Sequence, residues 1–105
     1  MEIRLAKQVH KDLRKETAEI QEKLVILLDS LSKGATLSMP VSRNMIGHPG
    51  LKELRLKDSR GIVRVFYYIV KGDAIYLLHL FRKKTQKTPP KEIELALKRL
   101  KSMLE

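Results

Sequence analysis

With 105 residues, 43% of them hydrophobic, the chain has the size of one packed domain, read here as a single unit over residues 1–105; with no Cys and no Trp it excludes a disulfide framework, a thiolate metal site and a cysteine nucleophile. Twenty-two Lys and Arg against twelve Asp and Glu give a formal charge of +10, which makes an anionic partner the first to consider, and nucleic-acid phosphate the foremost of these. No segment approaches the ~20 apolar residues that span a bilayer, and residues 1–15 lack the hydrophobic stretch of a secretory signal, so no membrane association and a cytoplasmic location are expected.

From Leu5 to Leu31 apolar residues recur at intervals of three and four (Leu5, Val9, Leu13, then Ile20, Leu24, Leu27, Leu28, Leu31), the stripe of core-facing helix. Gly34 supplies a stop, and Thr17 is placed to cap a second helix inside the region; the spacing alone leaves one helix or two open. Residues 34–50, with Gly34, Pro40, Gly47, Pro49 and Gly50, read as a connecting loop. Leu51–Lys57, Gly61–Val70 and Ala74–Phe81 then read as strands joined by turns at Asp58-Ser59-Arg60-Gly61 and Lys71-Gly72-Asp73, a three-stranded antiparallel meander. Alternation puts Leu54, Leu56, Val63, Val65, Tyr67 and Ile69 on one face. Glu53, Arg55, Arg64, Phe66 and Tyr68 take the other, joined on the third strand by His79 and Phe81, with Leu78 and Leu80 turned away. Thr88-Pro89-Pro90 starts a last helix whose stripe is Ile93, Ala96, Leu97, Leu100, Met103 and Leu104. The order is that of an α+β fold, with N-terminal helices packed on the meander and a C-terminal helix.

Charge is concentrated late in the chain. Residues 1–50 hold eight basic and six acidic side chains and residues 51–105 fourteen and six, so the halves carry +2 and +8. Five cations fall between Phe81 and Lys91 alone. Such a run is usually a solvated loop, but between a strand and a proline-started helix it is also placed to hold phosphate. Arg64 interrupts an apolar strand, which is costly unless its fork meets phosphate oxygens in a cleft or an ion-pair partner such as Glu53 or Glu92. Arg55 falls on the same face, and Lys83 and Lys84 leave the third strand beside them, giving a four-cation patch. Phe81, Phe66 and Tyr68 are candidates to stack an exposed base, and Arg82 and Lys87 to hold the backbone; packing is the plainer role for the aromatics. His79 is the candidate acid or base, against the commoner role of a hydrogen-bonded core histidine. RNA cleavage by attack of the 2′-hydroxyl on the adjacent phosphate needs that hydroxyl deprotonated, the added charge stabilised and the 5′-oxygen protonated. No metal or other cofactor is obligatory for this, and no residue stands out as the general base.

Four segments in order are similar to the phage-derived HigB-type branch of the RelE/ParE toxin superfamily: Glu53-Leu54-Arg55; Arg64-Val65-Phe66-Tyr67; the run Leu78 to Pro89; and Glu92-Ile93-Glu94 with Ala96 and Arg99. The resemblance covers residues 51–100, with residues 31–40 similar to the preceding helix end and loop. It implies a RelE-like fold and a small ribosome-dependent mRNA endonuclease (an mRNA interferase), held inactive by a cognate HigA-like antitoxin with a helix-turn-helix domain. Members of that superfamily open with a full strand, for which only Glu2–Arg4 is available here. Two other readings compete: a ParE-like gyrase poison on the same scaffold, and a nucleic-acid-binding module without catalysis.

Overall fold

The polar break at Lys15-Glu16 divides the N-terminal apolar stripe in two. In the computed structural model, which describes residues 1–70, 72–82 and 87–105, helix α1 spans Lys7–Arg14 and helix α2 Ala18–Ser32. Thr17 caps α2: its hydroxyl accepts from the Ile20 N–H at 3.3 Å and donates to the Asp58 carboxylate at 2.7 Å. Gly34 takes a positive φ of 94° just past the end of α2, where Ala35 N–H returns to Ser30 O at 3.0 Å.

Five strands follow from the sequence as β1 (Glu2–Leu5), β2 (Ser42–Asn44), β3 (Leu51–Asp58), β4 (Gly61–Val70) and β5 (Ala74–Arg82), with helix α3 (Pro90–Leu104) last. They form one sheet in the order β1-β5-β4-β3-β2, with β1 parallel to β5 and the other pairs antiparallel. The architecture is the expected α+β fold, compatible with a RelE-like one, and the meander strands end within one residue of their expected limits. The sheet exceeds the expected meander at both edges. The short N-terminal strand is present, and three residues of the expected loop pair with β3 as β2.

Helices cover both faces of the sheet, unequally. On one face α1 and α2 bury Val9, Ile20, Leu24, Leu28 and Leu31 against Leu54, Leu56, Val63, Val65, Tyr67, Ile75, Leu77 and Leu80. Burial of each such aliphatic side chain contributes about 1.5–3 kcal/mol, and Ile20 and Leu24 are wholly enclosed. On the other face α3 lays Ile93, Ala96, Leu97 and Leu100 over Phe66, Ala74, Tyr76 and Leu78. Leu104, expected in that stripe, is exposed.

Strict alternation fails once. Phe66 pairs with His79 but Tyr67 with Leu77, so Leu78 is an extra residue in β5, a bulge. It sends Leu78 to the α3 face together with His79, whereas the alternating pattern set it with Leu80 on the opposite face. Gly50, before β3, has φ +87°, and a Cβ there would lie 2.5 Å from the Tyr68 ring, so the close seating of Tyr68 requires glycine. Among the described residues no helix is long and apolar enough to cross a membrane.

Candidate functional site

The α3 face of the sheet is laid out in cross-strand rows, and the rows toward the β3–β4 turn carry the charge. Arg55, Arg64 and Phe81 make one row across β3, β4 and β5, and Arg43, Glu53, Phe66 and His79 make the next across β2 to β5. Arg55 N–H points outward to Val41 O at 2.8 Å, so Arg55 and Arg64 oppose each other as a pair without mutual hydrogen bonds, the arrangement that brings facing side chains closest. Two guanidinium groups placed so repel.

Among the described residues only one of the two, Arg64, has a carboxylate partner. Arg64 is 4% exposed and its Nη1 donates to Glu53 Oε1 at 2.7 Å. Arg43 Nε meets the same oxygen at 3.0 Å, and the Thr88 hydroxyl donates to Oε2 at 3.1 Å. Glu53, wholly buried, is thus the hub of a network that ties β2, β3, β4 and the approach to α3. Arg55 is half-buried, and its side chain makes no hydrogen bond or ion pair with the described residues; its Nε, like those of Arg64 and Arg82, is enclosed without a partner. Beside this network Arg43, Asn44, Met45, Ile46, Lys87, Thr88 and Ile93 line a recess of about 380 Å³. Its rim is cationic and part of its floor apolar.

A second, half-buried network lies on the opposite face. Arg82 pairs with Val63 in register, and its Nη2 meets Glu16 Oε1 and Asp58 Oδ2, each at 2.7 Å, while Nη1 reaches Asp58 Oδ1 at 3.0 Å. The bond from Arg82, followed by those from Thr17 and the Arg60 N–H, holds the Asp58 carboxyl far below the usual carboxylate range against the opposing effect of desolvation; in turn the bond to Asp58 raises Arg82. This cluster fastens the α1–α2 corner to the β3–β4 turn.

The expected site residues are therefore only partly assembled. Arg55, Arg64 and Phe81 share a row and Lys87 stands on the adjoining rim, whereas Lys83 and Lys84 lie outside the described residues. Arg64 forms the ion pair with Glu53 that was its alternative reading. Arg82 belongs to the other face and to a locked ion network, so it does not join the cationic patch. Tyr68 lies four residues along β4 from Arg64, roughly 13 Å at ~3.3 Å per residue, and packs against Gly50 and the α3 core. Phe81 is half-buried with its ring 5.1 Å from His79 and 5.6 Å from Phe66, a packed stack under α3.

His79 is 8% exposed and engaged on both nitrogens: Nε2 bonds to Glu92, and Nδ1 faces Arg99 Nη1 at 3.1 Å. Since arginine only donates, Nδ1 accepts and Nε2 carries the proton toward Glu92. The ring docks α3 on the sheet and offers no nitrogen to a substrate, so the expected acid–base role is not supported. Arg43 and Thr88 were not singled out from the sequence as parts of the site, and Glu53 entered only as an ion-pair alternative for Arg64. The signal that was available is Arg64 itself, whose burial demanded a carboxylate, and Glu53 is the acid that alternation places on that face.

Together these features define a small, basic α+β domain with a cation-rich row left open at one end of its sheet. Residues 11–101 match the family model described as phage derived protein Gp49-like (DUF891), and the chain belongs to that family. No curated protein matches the chain.

Proposed function

We propose that this protein is the toxin of a toxin–antitoxin pair, an RNA-binding endonuclease of the HigB type that acts on message held by the ribosome and is neutralised by an antitoxin. The single observation that carries the reading is Arg55, a half-buried guanidinium with no hydrogen bond or ion pair among the described residues, set in register opposite Arg64. A phosphodiester there supplies the missing anion. Family membership and the similarity of residues 51–100 to HigB-type toxins support the toxin assignment.

In this reading Arg55, with Arg43 and Lys87 on the rim, holds the phosphate and stabilises the charge that grows as the 2′-oxygen attacks phosphorus and the 5′-oxygen leaves. Arg64 becomes a positioning residue: it anchors Glu53, which in turn fixes Arg43. Proton transfer is assigned to Lys83 and Lys84 on their place in the sequence. Weak acid–base equipment fits dependence on the ribosome to pre-arrange the message.

The occupation of Arg64 by Glu53 and of His79 by Glu92 and Arg99 favours a second reading, in which the same surface binds nucleic acid without cutting it. Induction of wild type and Arg55→Ala in cells, with growth and the 5′ ends of messages as readouts, separates the two. The nuclease reading expects growth arrest with new message ends, both abolished in the variant. Arrest with intact messages overturns it, and trapped gyrase–DNA breaks in that case assign the ParE-like mode instead.

A further inference from the structure

An apolar groove opens beside α2 and takes in Arg55 of the cationic row. Lys23, Ile26, Leu27, Pro40, Val41, Arg55, Leu56 and Lys57 line a groove of about 390 Å³ between α2 and the outer edge of β3. Its apolar lining continues onto the outside of α2, where Val25 is 63% and Ile26 65% exposed, and Met39, beside Pro40, is 61% exposed. Large aliphatic side chains gathered at the mouth of a groove mark a surface built to be covered.

Two features say what covers it. The groove is lined by three cations and no acid, with Lys23 paired to Glu19 beside it and Glu22 the one acid on its continuation over α2. And β2 pairs only with Lys52–Leu54, so β3 runs on from Arg55 to Asp58 as an open edge beside the groove, tethered by the Arg55 bond to Val41 O and by Lys23 reaching Lys57 O. The complement of an apolar trough with a basic rim is an amphipathic segment whose other face is acidic. A second copy of this chain fits poorly, since it brings a further +10 to a basic surface.

The geometry points to this groove as the docking site for an acidic, amphipathic segment of the neutralising partner. This inference rests on the toxin reading above. It adds how neutralisation reaches the cationic row: Arg55 belongs both to the groove and to the pair with Arg64. A carboxylate on the segment supplies Arg55 with the anion that RNA would otherwise provide, and the partner acts from the side, without filling the recess at Arg43 and Lys87.

The test uses the full chain, its Ile26→Glu and Lys57→Glu variants, and the purified product of the adjacent coding sequence as probe. Ile26 is exposed, so the fold is expected to survive, checked by thermal melting. Titration is expected to show the dissociation constant raised at least tenfold by Ile26→Glu and severalfold by Lys57→Glu, with wild-type affinity falling as salt rises. In cells, Ile26→Glu is expected to arrest growth as wild type does and to escape rescue by the probe. Unchanged affinity in both variants overturns the inference, as does an Ile26-dependent dimer of the protein alone in sedimentation. A wild type that binds the probe through the groove but neither arrests growth nor touches RNA leaves the docking site standing and removes the toxin reading.

Discussion

The two ion networks of this domain, one on each face of the sheet, are built from the same side-chain types with opposite balance. On the helical-hairpin face one guanidinium, Arg82, serves two carboxylates, Glu16 and Asp58. On the α3 face one carboxylate, Glu53, serves two guanidinium groups, Arg64 and Arg43, with Arg55 next to them unserved by any described residue. The first network is closed by Thr17 and by backbone, and nothing in its balance calls for an outside cation beyond those water and salt supply. The second is short of negative charge by construction. A buried charge is tolerated when paired, so on the proposed reading the network with excess cations is the one a ligand anion completes, and the one whose arginine is paired with two carboxylates is a joint of the fold.

Removing the hub of the cation-rich network should have the largest effect on stability. Glu53→Ala leaves Arg64 buried without its carboxylate, and the expected loss is about 3–5 kcal/mol, read from urea unfolding. Glu53→Leu combined with Arg64→Leu should recover most of that loss, because an apolar pair of similar size requires no compensation. If the single and double variants are equally destabilised, the network is not what holds this end of the sheet.

The acid-rich network should instead reveal itself through pH. The folded-state titration of Asp58 is depressed from its ordinary 3.8, so its stabilising contribution is complete above that value and disappears as pH falls from about 4 toward the folded-state value, the window in which the unfolded chain binds the extra proton. Asp58→Asn should therefore be less stable than wild type by a constant amount from about pH 5 to 8, and the gap should shrink steadily below about pH 4. A gap as wide at pH 2 as at pH 7 would mean that the carboxylate acts through shape, not charge.

Much of this contrast was legible in the sequence. Period-two alternation set Arg55, Arg64 and Glu53 on one face, and the Thr17 cap, the Gly34 stop and the proline start of α3 are local signals that tertiary packing did not override. What escaped is non-local. β2 is too short to show a period, so Arg43 sat in an apparent loop until pairing with β3 brought it to Glu53. The bulge at Leu78 leaves no compositional trace and shifts which residues α3 covers. Arg82 looked like part of a basic run, and only the fold reveals that its neighbours in space are Glu16 and Asp58, 66 and 24 positions away.

The smallest expected effect on stability falls on the residue that matters most to the proposed function. Arg55 faces Arg64 across β3 and β4 with no side-chain partner among the described residues, so Arg55→Ala removes a like-charge repulsion together with some packing of its stem, and stability should stay within about 0.5 kcal/mol of wild type. RNA affinity should fall, and the slope of log K against log salt for a single-stranded oligonucleotide should become shallower by about 0.7, the loss of one phosphate contact. Arg82→Ala should do the reverse, lowering the melting temperature while leaving that slope unchanged. A marked loss of stability in Arg55→Ala with an unaltered salt slope would place both arginines among the joints of the fold and remove the argument for an anion at this row.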